Sequence, residues 1–254
     1  MCHPDVPDGR DTPQVQQAEV SIELPSGERM TALMARAGSE AAPAVLVVSD
    51  IFGRSPFYED LAARLAATGY HALLPDYFFR QGPLAEHTRE AAFARRGRLD
   101  ENQTLADLTA ALAWLSDQPS TADGRVGTVG FCMGGTLVLD LAAIHDHLAT
   151  VCFYGFPVGS PHGPTATSPP VPLDVVGDME GPIVGFWGDG DEGVSIADVE
   201  KFAAAARDAG VDFTHTIYPG VGHGFLARGD IDDTDSAAGA AWGRTIEFFG
   251  HHLG

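Results

Sequence analysis

Arg125 to His147 reads RVGTVGFCMGGTLVLDLAAIHDH, and the fold is decided here. Residues 125–130 read as a short buried strand. Gly130-Phe131-Cys132-Met133-Gly134 then leaves room for one tight turn, and residues 135–147 follow as an apolar helix. A strand, a glycine-framed turn and a helix in succession are the setting of a nucleophile elbow, G-x-S-x-G, with cysteine in the serine position. The glycines have a steric reason: the nucleophile occupies a strained turn, and side chains two positions away would strike neighbouring backbone. The start of the helix also lends partial positive charge, which favours thiolate over thiol at Cys132.

Outward from the elbow, the chain alternates strands and helices. Residues 20–24 and 30–35, joined by Pro25-Ser26-Gly27, predict a leading antiparallel hairpin. The continuous apolar run at 44–49 reads as a strand buried on both faces, and further strands are expected at 70–74, 148–154 and 183–187, with a late strand at 213–218. Helices are expected from the Ser55 cap with Pro56 to Gly69, over 101–116, from the Ser195 cap to Ala209, and over 236–249. This alternation predicts an α/β fold: a mostly parallel twisted sheet with helices on both faces, in one domain over 17–254. Residues 156–181 hold six prolines and four glycines and are expected to form a lid or rim loop.

Functional groups on such a sheet gather at the carboxyl ends of the strands. Two further loops meet that test. Gly188-Asp189-Gly190-Asp191-Glu192-Gly193 follows the strand at 183–187 and offers Asp191 or Asp189 as an orienting carboxylate. Gly222-His223-Gly224 follows the strand at 213–218 and can project an imidazole from a glycine-rich loop. The order nucleophile, acid, histidine is that of the α/β-hydrolases. The acid loop also matches G-x-G-x-x-G, but three carboxylates would face the pyrophosphate of a dinucleotide, so nucleotide binding is rejected. For acyl transfer, the backbone N–H groups of Met133 and Ile51 are the expected oxyanion donors.

The remaining composition narrows the partners. Of 254 residues, 15 are basic and 35 acidic, a formal charge of −20. That field repels phosphate backbones and anionic lipid, so neither nucleic acid nor membrane is an expected partner, and an anionic small substrate would need local arginines. No apolar run reaches bilayer length. Residues 1–16 read as a flexible lead-in without a secretory pattern, which implies cytoplasmic residence; a monomer or homodimer is expected, and the sequence does not choose between them. Three cysteines, Cys2, Cys132 and Cys152, form neither a disulfide framework nor a zinc pattern. Cys152 lies in an apolar strand and reads as core. His145, His147, His251 and His252 read as surface, and no metal or organic cofactor is expected.

With these residues in place, the chain resembles the dienelactone hydrolase family of α/β-hydrolases from about Gln17 onward. The resemblance rests on Asp50-Ile51-Phe52-Gly53, residues 75–81 (PDYFFRQ), Gly130–Gly135, Gly188-x-x-Asp191-x-x-Val194 and Gly222-His223-Gly224-Phe225. It implies a Cys132-His223-Asp191 triad, favours Asp191 over Asp189, and implies lactone or ester hydrolysis through a thioester. It also implies that Arg80, and Arg228 after the histidine, hold a substrate carboxylate, although Arg228 sits one residue further on than in the family pattern. The family's best-known members carry glutamate where this chain has Asp50, a group that modulates the resting thiol. Rival readings are a broader carboxylesterase or thioesterase, and a redox-sensing or binding protein on the same scaffold.

Overall fold

In the computed structural model the structure describes residues 11–39, 41–163 and 165–254. Cys2 and most of the segment expected to be a flexible lead-in lie outside the described residues. The chain divides into two compact units, one running as far as Gly127 and including 165–169, the other comprising Thr128–Gly163 and Pro170–Gly254.

The first unit contains β1 (Gln16–Glu23), β2 (Arg29–Arg36), β3 (Ala42–Val48), α1 (Pro56–Ala67), β4 (His71–Pro75), α2 (Arg89–Arg96), α3 (Glu101–Ser116) and most of β5 (Thr121–Phe131). β1 and β2 form the expected antiparallel hairpin, Gln16 facing Arg36 and Glu23 facing Arg29. β2 pairs antiparallel with β4, and β3 pairs parallel with it. Every residue of β4 is buried: Ala72-Leu73-Leu74 is apolar, and the one polar residue, His71, accepts the Ala37 N–H on its Nδ1 at 3.1 Å.

Two local expectations change here. Ser55 does occupy the N-cap of α1, but its hydroxyl accepts no helix N–H; Pro56 at the first position supplies the start signal instead. The sequence reading passed over α2 altogether. That helix is capped by Thr88, whose hydroxyl accepts the Ala91 N–H at 3.2 Å.

The second unit carries the end of β5, then α4 (Met133–Ile144), β6 (Ala149–Phe153), a 3₁₀ turn at Pro172–Asp178, β7 (Ile183–Gly188), α5 (Ile196–Ala209), β8 (Phe213–Tyr218), α6 (Phe225–Arg228) and α7 (Ala237–His252). The strands run in the order β5-β6-β7-β8, with β6–β7 and β7–β8 parallel. α4 begins two residues earlier than its sequence suggested, directly behind Cys132. Ser195 and Ser236 cap α5 and α7 as side-chain acceptors, at 3.1 and 2.9 Å, and Gly210 ends α5 in the left-handed region.

The core of this unit is aromatic. Phe131 stacks on Phe153 at 5.1 Å between centroids, and Phe153 meets Phe186 at 4.9 Å. Each fully buried ring of this size contributes roughly 1.5–3 kcal/mol. β6 and β7, buried throughout, thereby form a rigid floor whose carboxyl ends carry the loops described next.

Candidate active site

Cys132 stands between β5 and α4 with φ +56° and ψ −117°, outside the regions an L residue ordinarily occupies. Its N–H donates to the Phe153 carbonyl at 3.0 Å, which pins the turn to β6. The glycines leave no alternative. A Cβ at Gly130 would lie 2.0 Å from the Gly134 oxygen, and one at Gly135 would lie 2.7 Å from the Phe153 oxygen. The thiol is only 5% exposed. Met133 opens α4, so its amide belongs to the first turn, whose N–H groups have no acceptor within the helix. Cys152 is of another kind: wholly buried in β6, with burial pushing its thiol up to about 12.

The acid and base loops meet each other. Asp191 Oδ2 lies 2.8 Å from His223 Nδ1, while Oδ1 accepts the N–H groups of Gly193 at 2.8 Å and Val194 at 3.1 Å. Both carboxylate oxygens are therefore spoken for, and the group cannot swing away from the ring. Because a carboxylate only accepts, Nδ1 carries the proton, and Nε2 of the neutral ring is an acceptor. Asp189 serves the loop rather than the ring: its Oδ1 accepts the Gly220 N–H at 2.6 Å. The two loops are also laced by Gly190 N–H to Val221 O at 3.0 Å, and Gly188 must lack a side chain because its Cβ would meet that same oxygen at 2.1 Å. Two aromatic rings flank the imidazole, Tyr154 at 5.0 Å and Phe156 at 5.5 Å, the latter stacked at 30°.

Arg228 is the last residue of α6 and is exposed. It lines a cavity of about 320 Å³ together with Gly220–Gly222 and the start of α7 at Ser236–Ala238.

The other expected residues belong to the first unit. Asp50 is buried, and its Oδ1 accepts the Phe52 N–H at 2.8 Å. The Tyr77 hydroxyl lies 2.8 Å from the Ser49 carbonyl and 2.9 Å from the Asp50 carbonyl, donating to this pair. Arg95 donates to the Ile51 carbonyl at 3.0 Å and the Gly82 carbonyl at 3.3 Å, with its guanidinium 3.9 Å from the centre of the Phe78 ring. Burial holds the pKa of Arg95 below its ordinary value. Arg80 is engaged by acids: it grips buried Asp107 with both terminal nitrogens and meets Glu28 at 2.7 Å. The bond to Asp107, outweighing burial, raises its pKa further.

Sequence reasoning missed Tyr77, Arg95, Thr136, Tyr154 and Phe156. Tyr77 lay within a quoted motif and Thr136 one residue beyond another. Nothing local marks Arg95, which acts on carbonyls 13 and 44 positions away.

A cysteine at a strand-to-helix turn, with an Asp–His pair on the loops after β7 and β8, defines the α/β-hydrolase class. The model of the dienelactone hydrolase family matches residues 30–253, and the chain belongs to that family. A carboxymethylenebutenolidase from Rhodococcus opacus is 31% identical over 258 residues, spanning 100% of this chain and 98% of the relative. A crystal structure from Klebsiella pneumoniae, provisionally assigned as a dienelactone hydrolase, is 30% identical and superposes with a TM-score of 0.83 over 93% of this chain and 99% of that one. A dienelactone hydrolase-like promiscuous phosphotriesterase from metagenomic libraries shares the fold at 20% identity, with a TM-score of 0.67 over 94% of this chain and 99% of that one. The protein is an ester or lactone hydrolase. No helix among the described residues is long and apolar enough to cross a membrane, and none of their acidic, histidine or cysteine side chains cluster as a metal site would require.

Proposed function

We propose that the protein hydrolyses a lactone or carboxylic ester of the carboxymethylenebutenolide class, with Cys132 as nucleophile, His223 as general base and acid, and Asp191 as the group that orients the ring. His223 Nε2 takes the proton of the Cys132 thiol, and the resulting thiolate attacks the carbonyl carbon. The tetrahedral intermediate collapses as the C–O bond breaks, and the departing oxygen takes a proton from His223 Nε2. A thioester on Cys132 remains. Water, giving its proton to His223, attacks that thioester, and the thiolate leaves. The Met133 amide is the proposed donor to the oxyanion, and the Ile51 amide is proposed as a second donor on the sequence pattern alone. Asp50 is proposed to modulate the thiol, and residues 156–181, whose Phe156 lies against His223, to form the rim of the site.

The observation that carries this reading is the 2.8 Å contact between Asp191 and His223 Nδ1, which leaves Nε2 as the acceptor a nucleophilic thiol requires. The test is Cys132→Ala assayed on a panel of activated esters and lactones. Turnover should disappear in a variant that remains folded; unchanged turnover would end the proposal.

A second reading concerns the substrate. Because Arg80 is engaged by Asp107 and Glu28, a neutral ester is favoured over one that needs Arg80 for its carboxylate. Comparing kcat/KM for matched neutral and carboxylate-bearing esters separates the two. A cytoplasmic protein acting as a monomer or homodimer completes the proposal.

A further inference from the structure

We propose that Thr136 is a positioning residue for the general base, acting through Phe156 on the His223 ring. The inference rests on the assignment of Cys132 and His223 made above. Thr136 lies one turn into α4, half-buried, and its hydroxyl has a neighbour on each side. It accepts the Phe156 N–H at 2.9 Å, and its own proton points to the Cys132 carbonyl at 3.5 Å, the same carbonyl that receives the Thr136 N–H at 3.2 Å. One side chain therefore links the backbone of the nucleophile turn to Phe156, the third residue of the loop after β6.

That loop residue faces the base. The Phe156 ring stacks on the His223 imidazole at 5.5 Å and 30°, and Tyr154, two residues earlier, closes another side at 5.0 Å and 59°. The segment between them has little freedom. The Gly155 carbonyl accepts the Trp187 indole N–H at 2.9 Å, and a Cβ on Gly155 would lie 2.6 Å from the Gly135 backbone. Tyr154 itself is held at φ +41°, with its N–H on the Phe186 carbonyl at 2.8 Å. Within Tyr154–Phe156, the N–H of Phe156 is fixed by Thr136 and by no other donor–acceptor contact among those described.

Asp191 meets His223 at Nδ1, one edge of the ring, and a pivot about that contact would turn Nε2 away from its direction. A flat ring stacked at 30° opposes that pivot, and its place is set by the Thr136–Phe156 bond. The Thr136 hydroxyl thereby couples the angle of the base to the turn that carries the sulfur. Misplacement of a reacting group by an ångström costs as much as a hundredfold in rate, so a partial loosening of the stack is expected to cost about tenfold.

The experiment is a double-mutant cycle of Thr136→Val and Phe156→Leu in the full chain, with Thr136→Ser and Cys132→Ala alongside. Thr136→Val should lower kcat about tenfold with KM within about twofold, and Thr136→Ser, which keeps the hydroxyl, should restore kcat. In the Phe156→Leu background Thr136→Val should cost little more, because the path through the ring is already broken. Unchanged kcat in Thr136→Val, failure of serine to rescue, or additive losses in the double mutant would each overturn the inference. Should Thr136→Val not fold, Phe156→Leu decides: a fall in kcat supports the stack's role and unchanged kcat removes it. Full turnover by Cys132→Ala would remove the underlying reading instead, so the two failures are distinguishable.

Discussion

Two turns of this protein follow buried strands and are expected to serve the same reaction, yet they are held in different ways. The turn at Gly130–Gly135 is fixed by its own backbone: glycines that admit no Cβ, a cysteine at positive φ and an N–H seated on Phe153 O. The loop at Ser49–Gly53 is fixed by side chains from elsewhere, with Tyr77 on two carbonyls, Arg95 on a third and Asp50 closing the turn onto Phe52. The first kind of restraint is written where it acts. The second is distributed along the chain, and only the fold reveals it.

The difference predicts a ranking of damage. Gly130→Ala should be the most harmful, because the clash is with backbone that cannot move aside; a loss of more than about 4 kcal/mol is expected in a urea titration, or failure to fold. A mild effect there would break the distinction between the two turns. Arg95→Met should cost about 2 kcal/mol, since it strips donors from the Ile51 and Gly82 carbonyls. Arg95→Lys should not rescue it, because a single ammonium cannot lie flat on Phe78 while reaching both oxygens.

A pH effect sharpens the comparison from the elbow's packed side. Gly155 closes against both Gly135 and the Cys152 sulfur, and burial raises that thiol from 9.0 to about 12. The native state thus keeps a proton that the unfolded chain releases above pH 9, so the unfolded chain binds fewer protons and stability falls as pH rises. Between about pH 9 and pH 12 the slope from this group is roughly 1.4 kcal/mol per unit. Urea titrations at pH 8 and pH 10 should show a smaller alkaline loss in Cys152→Ala than in the native protein, and equal losses would contradict the assignment. Tyr77→Phe is the smallest change, about 1 kcal/mol by thermal or urea melts, because it removes one hydroxyl shared between two carbonyls.

The same contrast explains how much was legible in the sequence. The elbow, the acid loop and the histidine loop were readable because a strand, its glycines and the reactive residue are adjacent in the chain. Asp189 and Asp191 could not be told apart by the residues alone, since both follow β7; the fold turns one toward Gly220 and the other toward His223. Ser55 does stand at the N-cap of α1, but which way its hydroxyl turns is not written in the sequence, and it accepts no helix N–H. Arg80 carried the expectation of substrate binding, and its partners Asp107 and Glu28 lie far from it in the chain. The bracket of Tyr154 and Phe156 around His223 was invisible because it depends on β6 and β8 flanking β7 in parallel, which brings the loops at their carboxyl ends to the same edge of the sheet.

The claim on which everything else depends is that Cys132 becomes acylated. Brief exposure to a slowly hydrolysed lactone or activated ester, acid quench and intact-mass measurement, followed by peptide mapping, tests it directly. One acyl group on the peptide bearing Cys132, with Cys152 unmodified, is the predicted result. Steady turnover with no adduct, or an adduct mapped to another residue, would contradict it.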